Sequence, residues 1–252
     1  MKVARMSIGG DVTFGEVEGD VFHVVTGDGF GPRARTGEQH RLSDVVLRSP
    51  VTPGRTFAVL GGFVEPGTPG SADRGQPSLC PKVAPVTSGH GAEIVFPSFV
   101  SSVVIEAEMA VVVGTPVRSA SPEEAADAIW GYTCFNDVTA PQYFPHFYLA
   151  KGVDTFASMG PWVRTDLNDE HIRRGLDIVG RVNGVTVQSG TTARYKFAPS
   201  EVLSYLSTFF TLFPGDVITL GTPPPPAEVH PGDVVEIEVE GIGTLTNHVV
   251  AG

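Results

Sequence analysis

Within the segment Val104-Ile-Glu106-Ala-Glu108-Met-Ala-Val-Val-Val113, two carboxylates alternate inside a run that is otherwise apolar and β-branched. Such a run reads as a strand, and the side-chain period of two puts Glu106 and Glu108 on one face and Ile105 and Ala107 on the other. Two like charges side by side on a buried strand repel each other and lose hydration. The pattern therefore fits either an edge strand whose acids lie in water or a buried strand with a cation between them. Asp137 closes a second apolar segment, Gly131-Tyr-Thr-Cys-Phe-Asn136-Asp137, and offers a third oxygen donor. Three carboxylates with room for water or substrate suit Mg²⁺ or Mn²⁺, which prefer hard oxygen ligands in open octahedral sites. Glu106, Glu108 and Asp137 are the expected metal ligands.

The 30 Gly and 21 Pro are spread along the 252 residues, which favours many short strands over long helices. The expected class is mainly β with short helices (α+β). Two units are expected: residues 1–48, a small β-rich N-terminal unit, and residues 49–252, the larger one. Short apolar runs at 3–7, 13–17 and 21–26 mark strands in the first unit. In the second, strands are expected at 56–62, 93–96 and 103–113, and after the Gly-Asp-Val turns at 215 and 232. Ser121-Pro-Glu-Glu opens a helix, with Ser121 as cap, Pro122 in the first turn and two acids at the positive end of the dipole. A second helix is expected over 200–210, with apolar residues at 202, 203, 206, 209 and 210.

A net charge of −11 argues against nucleic acid and anionic membrane surfaces as partners. Cys80 and Cys134 are too few for a disulfide framework, and the N-terminal residues lack the apolar stretch of a signal peptide. A soluble, cytoplasmic protein is the expectation. Only four lysines (Lys2, Lys82, Lys151 and Lys196) accompany 13 arginines, so a lysine inside a motif is less readily read as surface filler.

Several motifs fall in one order: the acids at 106 and 108, Gly131-Tyr-x-x-x-Asn136-Asp137-Val-Thr, Lys151-Gly-x-Asp154-Thr155 and Met159-Gly-Pro-Trp162. Val182-Asn-Gly184 with Gln188, Leu212-Phe-Pro-Gly-Asp-Val-Ile218, Gly221-Thr-Pro223 and Gly241-Ile-Gly-Thr-Leu-Thr-Asn247 follow. The series resembles the fumarylacetoacetate hydrolase family, with its acylpyruvase, oxaloacetate decarboxylase and isomerase members, over roughly residues 45–250. The resemblance implies a β-roll catalytic domain holding a divalent cation on Glu106, Glu108 and Asp137, with Lys151 beside the bound substrate. It implies substrate contacts from Gly221 and Thr222, places Thr155 where some members line the metal site, and carries over a homodimer. Lys82 matches a less dependable basic position and reads more simply as structural or solvated.

The chain departs from the family pattern in two places. Hydrolases of the family carry Asn-Tyr-x-x-His after their first catalytic-domain strand, the histidine activating water. Here the stretch is Gly62-Phe63-Val64-Glu65-Pro66. Arg and Gln four and seven residues beyond the metal aspartate are replaced by Pro141 and Phe144. Two residues are candidates to restore the base: Glu65, against its reading as a solvated loop acid, and His146, in Pro141-Gln-Tyr-Phe-Pro-His-Phe-Tyr148. The aromatics of that segment, Tyr143 among them, either fold over the site to favour an apolar substrate or pack a core or interface. With Phe63 they complete the expected substrate-binding set.

Hydrolytic C–C cleavage needs a nucleophile, a base and a stabilised carbanion, whereas decarboxylation or isomerisation needs mainly the last and a proton. A lysine near a cation, its pKa lowered, suits the proton role. The expected function is a Mg²⁺- or Mn²⁺-dependent enzyme acting on a 2-oxo acid or β-dicarbonyl through a metal-stabilised enolate. Decarboxylase or isomerase chemistry is placed ahead of C–C hydrolysis with a replacement base. A ligand-binding protein without turnover is the alternative from another class.

Overall fold

In the structure, a computed structural model that describes residues 1–64, 75–82 and 88–252, the chain is mainly β with short helices, as expected. Among the described residues, eleven strands form one sheet. Its middle runs Lys2–Ile8, Ala157–Arg164, Ile129–Asp137, Ala107–Val113, Val217–Thr219, Thr56–Leu60 and Ser78–Lys82. A five-stranded sheet, Val185–Thr191, Asp177–Val182, Val234–Val239, Gly243–Ala251 and Glu93–Phe96, packs on it. The main core lies between them, built on Ile105, Met109, Tyr132, Ile178, Ile237 and Leu245. Ala107–Val113 is buried at every position, which accounts for its apolar character at every position but Glu108.

The N-terminal strands carry a small core of their own around Met6 and Phe22, yet they extend the main sheet. Lys2 faces Arg164 and Val3 faces Val163 across the junction. Asn183 and Gly184, both at positive φ, form the two-residue turn of the hairpin Asp177–Thr191.

Three local differences from the sequence reading have physical causes. The strand expected over 103–113 breaks at Glu106 into Val103–Ile105, which pairs with Ala227–Val229, and Ala107–Val113. The Ala107 N–H donates to the Gln188 side chain (2.8 Å) instead of to a neighbouring strand. The helix at Ser121 is capped as expected, with Glu124 completing the box, but ends at Asp127 because Ile129 and Trp130 join a central strand. The second helix, Pro199–Phe209, buries Val202, Leu203 and Leu206, each worth on the order of 2 kcal/mol of apolar burial, and leaves Phe209 exposed.

Candidate metal centre and substrate cleft

Two adjacent antiparallel strands bring the three acids together. Glu108 lies within Ala107–Val113 opposite Phe135, and Asp137 ends the partner strand. The Asp137 N–H donates to the Glu106 carbonyl (3.0 Å), tying the break in the first strand to the end of the second. One carboxylate oxygen from each of Glu106, Glu108 and Asp137 falls within 4.8 Å of the others, a separation that one cation can bridge.

Two lysines close on this cluster. Lys151, last residue of the short helix Phe147–Lys151, donates to Glu106 Oε2 (2.9 Å), Asp137 Oδ2 (2.8 Å) and the Thr139 hydroxyl (2.8 Å). Lys82, which ends Ser78–Lys82, is buried and ion-paired to Asp137 Oδ1. The reading of Lys82 as solvated is therefore corrected: it is buried and paired to Asp137, which leaves the structural reading standing. Its partner lies 55 residues away, and the sequence signals for it were the rarity of lysine in this chain and a match to a less dependable basic position of the family. Thr139, two residues beyond Asp137, is a further member that the sequence reading did not single out.

The charges are unevenly shared. Burial alone would raise the Asp137 carboxyl, but the neighbouring Lys82 and Lys151 ammoniums outweigh it and hold it below the usual range. Burial and the Asp137 charge raise Glu106, with Lys151 opposing. Glu108 is pushed up to about 8 by burial first, then by the Asp137 and Glu106 charges. Its Oε2 accepts the Gly221 N–H (2.7 Å), but it has no ion-pair partner among the described residues. A buried carboxylate that lacks a cation, beside two others with all-oxygen donors, is what a divalent metal would complete. The donor set fits Mg²⁺ or Mn²⁺.

Among the protein's own groups, the carboxylates decide the Lys151 charge. Burial opposes its charge, but Asp137 and Glu106 outweigh burial and keep the ammonium protonated. Lys82 is the lysine whose pKa burial depresses, against the pull of Asp137.

The acids open onto a cleft of about 280 Å³. Glu106, Glu108, Lys151 and Thr222 line its polar end, and Val59, Leu60, Phe63, Phe144, Phe147 and Pro224 its apolar sides. Gly221 (φ +106°) lies against the backbone of Gly62, and a Cβ on Gly62 would sit 2.3 Å from the Leu220 carbonyl oxygen. Only two bare backbones can approach this closely, and the approach seats the Gly221 N–H on Glu108. A larger groove of about 780 Å³, bordered by Phe57, Lys82, Tyr205 and Phe210, contains no carboxylate among its described lining and offers a cation no ligand.

Gln188 links the two halves of the cleft. Its carbonyl oxygen takes the Ala107 N–H, and its amide donates to Thr222 Oγ1 (3.0 Å) and the Pro223 carbonyl (2.6 Å). Gln188→Ala is expected to destabilise the protein by about 1–3 kcal/mol, since the Ala107 N–H loses its acceptor in a buried setting. Denaturant melts check this, and an unchanged midpoint would contradict it.

The remaining candidates are dispersed. His146 is exposed at the start of the helix Phe147–Lys151, its ring edge-on to Tyr148 at 6.2 Å. Tyr143 packs against the main core rather than lining the cleft. The Thr155 hydroxyl accepts the Val95 N–H (2.9 Å). Glu65 lies outside the described residues. No helix among the described residues is long and apolar enough to cross a membrane.

Residues 63–250 match the family described as fumarylacetoacetate (FAA) hydrolase C-terminal, and residues 1–50 match one described as Rv2993c-like, N-terminal. The chain is 35% identical to the 4-hydroxyphenylacetate degradation bifunctional isomerase/decarboxylase of Escherichia coli, over 70% of this chain and 42% of that one. It superposes with a TM-score of 0.91 on 5-carboxymethyl-2-hydroxymuconate delta-isomerase from Mycobacterium smegmatis, at 33% identity and over 100% of both chains. The maleylpyruvate hydrolase of Sphingobium sp. SYK-6, in complex with manganese(II) and pyruvate, superposes at 0.81 with 26% identity, again over 100% of both. These named relatives are enzymes. The motifs in register, the match over three quarters of the sequence and the shared fold together place this chain in the fumarylacetoacetate hydrolase family.

Proposed function

We propose that the protein is a Mg²⁺- or Mn²⁺-dependent enzyme that acts on a 2-oxo acid or β-dicarbonyl by way of an enolate, by decarboxylation or isomerisation rather than hydrolysis. The observation that carries this is the cluster of Glu106, Glu108, Asp137, Lys82 and Lys151, of which Glu106, Glu108 and Lys151 line the polar end of a cleft whose described lining contains no histidine. Glu106, Glu108 and Asp137 would hold the cation, which when bound polarises a carbonyl oxygen and favours the enolate.

The chain's own residues supply the rest. The three Lys151 protons are directed to Glu106, Asp137 and Thr139, so in this arrangement Lys151 is a fixed positive charge. To deliver a proton to substrate it must release one of those acceptors. Thr222 Oγ1 accepts from Gln188 and has only a long 3.5 Å contact from its own hydroxyl to Pro223, leaving that hydroxyl able to donate to a substrate oxygen. Phe63, Phe144 and Phe147 line the apolar side, where a bound substrate would displace water and so strengthen the charge interactions at the other end.

The hydrolase reading keeps one support: the maleylpyruvate hydrolase shares the fold, and His146 begins the helix that carries Phe147 and Lys151. Product analysis separates the two readings. Incubated with oxaloacetate and acylpyruvates, a decarboxylase or tautomerase gives CO₂ or the keto–enol isomer, whereas a hydrolase gives two carboxylates from each acylpyruvate. Hydrolysis that His146→Gln abolishes would transfer the proposal to the hydrolases. A homodimer belongs to the same reading, with the exposed Phe209 and Phe210 as interface candidates, and light scattering at twice 26.6 kDa is the expected result.

Metal binding should depend on pH in a defined direction. The folded-state pKa of Glu108, about 8, lies above its ordinary 4.5. This group therefore stabilises the metal-free fold below about 4.5, and that contribution is lost as pH rises towards 8. A cation must displace the proton, so its affinity should rise by up to about tenfold per pH unit between 6 and 8 and then level off. The metal-induced gain in Tm should grow over the same interval. Calorimetric titration with Mn²⁺ at pH 6, 7 and 8 checks the slope, and a flat profile would contradict it.

A further inference from the structure

The cleft is divided between charge and apolar surface, and the division specifies the substrate's far end. At the polar end, three carboxylates face two ammoniums, leaving one net negative charge. A divalent cation turns that into one net positive charge, which a single substrate carboxylate neutralises. Beyond the polar end, where Glu106, Glu108, Lys151 and Thr222 lie, the described side-chain walls are Val59, Leu60, Phe63, Phe144, Phe147 and Pro224, with glycine backbone between them. Lys151 is the one cation among the described lining residues, and it is already engaged by Glu106 and Asp137. The Phe144 and Phe147 rings, 5.1 Å apart and tilted, form a continuous apolar surface over the mouth.

We propose that the site selects a monoanionic 2-oxo acid with an apolar tail and discriminates against dicarboxylates. A second carboxylate laid along these walls would lose hydration and meet no free counter-charge among the described lining residues, whereas an alkyl or aryl tail would bury itself against Phe63, Phe144 and Phe147. The inference rests on the 2-oxo acid reading of the site.

The test compares two ligands of nearly equal shape, 2-oxoglutarate and 5-methyl-2-oxohexanoate, in which an isopropyl group replaces the distal carboxylate. Pyruvate serves as the common headgroup. Binding is measured by calorimetry on the Mn²⁺-loaded protein, and by the water-proton relaxation of the bound Mn²⁺. 5-Methyl-2-oxohexanoate should bind at least about tenfold more tightly than 2-oxoglutarate. In Phe144→Arg that ratio should fall by about tenfold or invert, because the variant adds the missing counter-charge, whereas Phe144→Ala should reduce the ratio without inverting it. Equal or tighter binding of 2-oxoglutarate by the unaltered protein, with pyruvate bound, would overturn the tail assignment and leave the 2-oxo acid reading standing. Failure of pyruvate and both longer acids to bind or to alter the relaxation signal would overturn both.

Discussion

Lys151→Met is expected to lower kcat/KM by about 10²–10⁴-fold while the protein still binds its metal, and binds it more tightly than before. The lysine lies between Glu106 and Asp137, bonded to both at 2.8–2.9 Å. Removing it takes away the positive charge that can stabilise an enolate or deliver its proton. It also takes away a cation that competes with the metal for the same two carboxylates. At an effective dielectric near 20, one charge at this range is worth up to about 4 kcal/mol, so a tenfold or greater gain in metal affinity at pH 8 is a conservative expectation. Mn²⁺ calorimetry together with initial rates tests the two effects at once. Turnover within about threefold of the unaltered enzyme would remove Lys151 from the chemistry. Loss of metal along with activity would make its role structural.

Glu108→Gln should behave differently, losing metal and turnover together. Glu108 is the acid of the cluster with no ion-pair partner among the described residues, and the amide keeps its shape while removing the charge that a cation needs. Loss of a ligand's hydrogen-bonding partner typically costs 10–100-fold in metal affinity, so loss of the ligand itself should cost at least about 100-fold. Because Glu108 is costly to ionise without metal, the metal-free variant should be as stable as the unaltered protein at pH 8, or more so. Thermal melts with EDTA and with Mn²⁺ read this directly: the metal-induced rise in Tm should disappear. A variant that still gains stability from Mn²⁺ would show that the cation binds elsewhere.

The two substitutions also show which parts of this protein could be read from its sequence. The clustering of the acids was legible because a period of two puts Glu106 and Glu108 on one face and Asp137 ends a second apolar run. The helix Pro199–Phe209 was legible from its apolar spacing, and the capped start at Ser121 from its box. What was hidden depends on contacts distant in the chain. The break at Glu106 needs Gln188, 81 residues away, to take the Ala107 N–H. Lys82 becomes a site residue only when Ser78–Lys82 is laid along Thr56–Leu60 at the sheet edge and its ammonium reaches Asp137. The helix Phe147–Lys151 has five residues and no side-chain cap, too little local signal to predict, yet it delivers Lys151.

The direction of the Lys151 shift was hidden for the same reason. Asp137 and Glu106, 14 and 45 residues away, both bond to this lysine and outweigh its burial. The residue that burial depresses is Lys82, which sequence alone did not connect to Asp137.

Proton NMR in D₂O on pyruvate and longer 2-oxo acids, first with Mg²⁺ or Mn²⁺ and then with excess EDTA, tests the enolate reading most directly. The expected result is deuterium uptake at the carbon next to the carbonyl that requires the metal and is abolished in Lys151→Met and Glu108→Gln. Exchange that persists unchanged in EDTA, or no exchange above the uncatalysed rate on any of these acids, would contradict it.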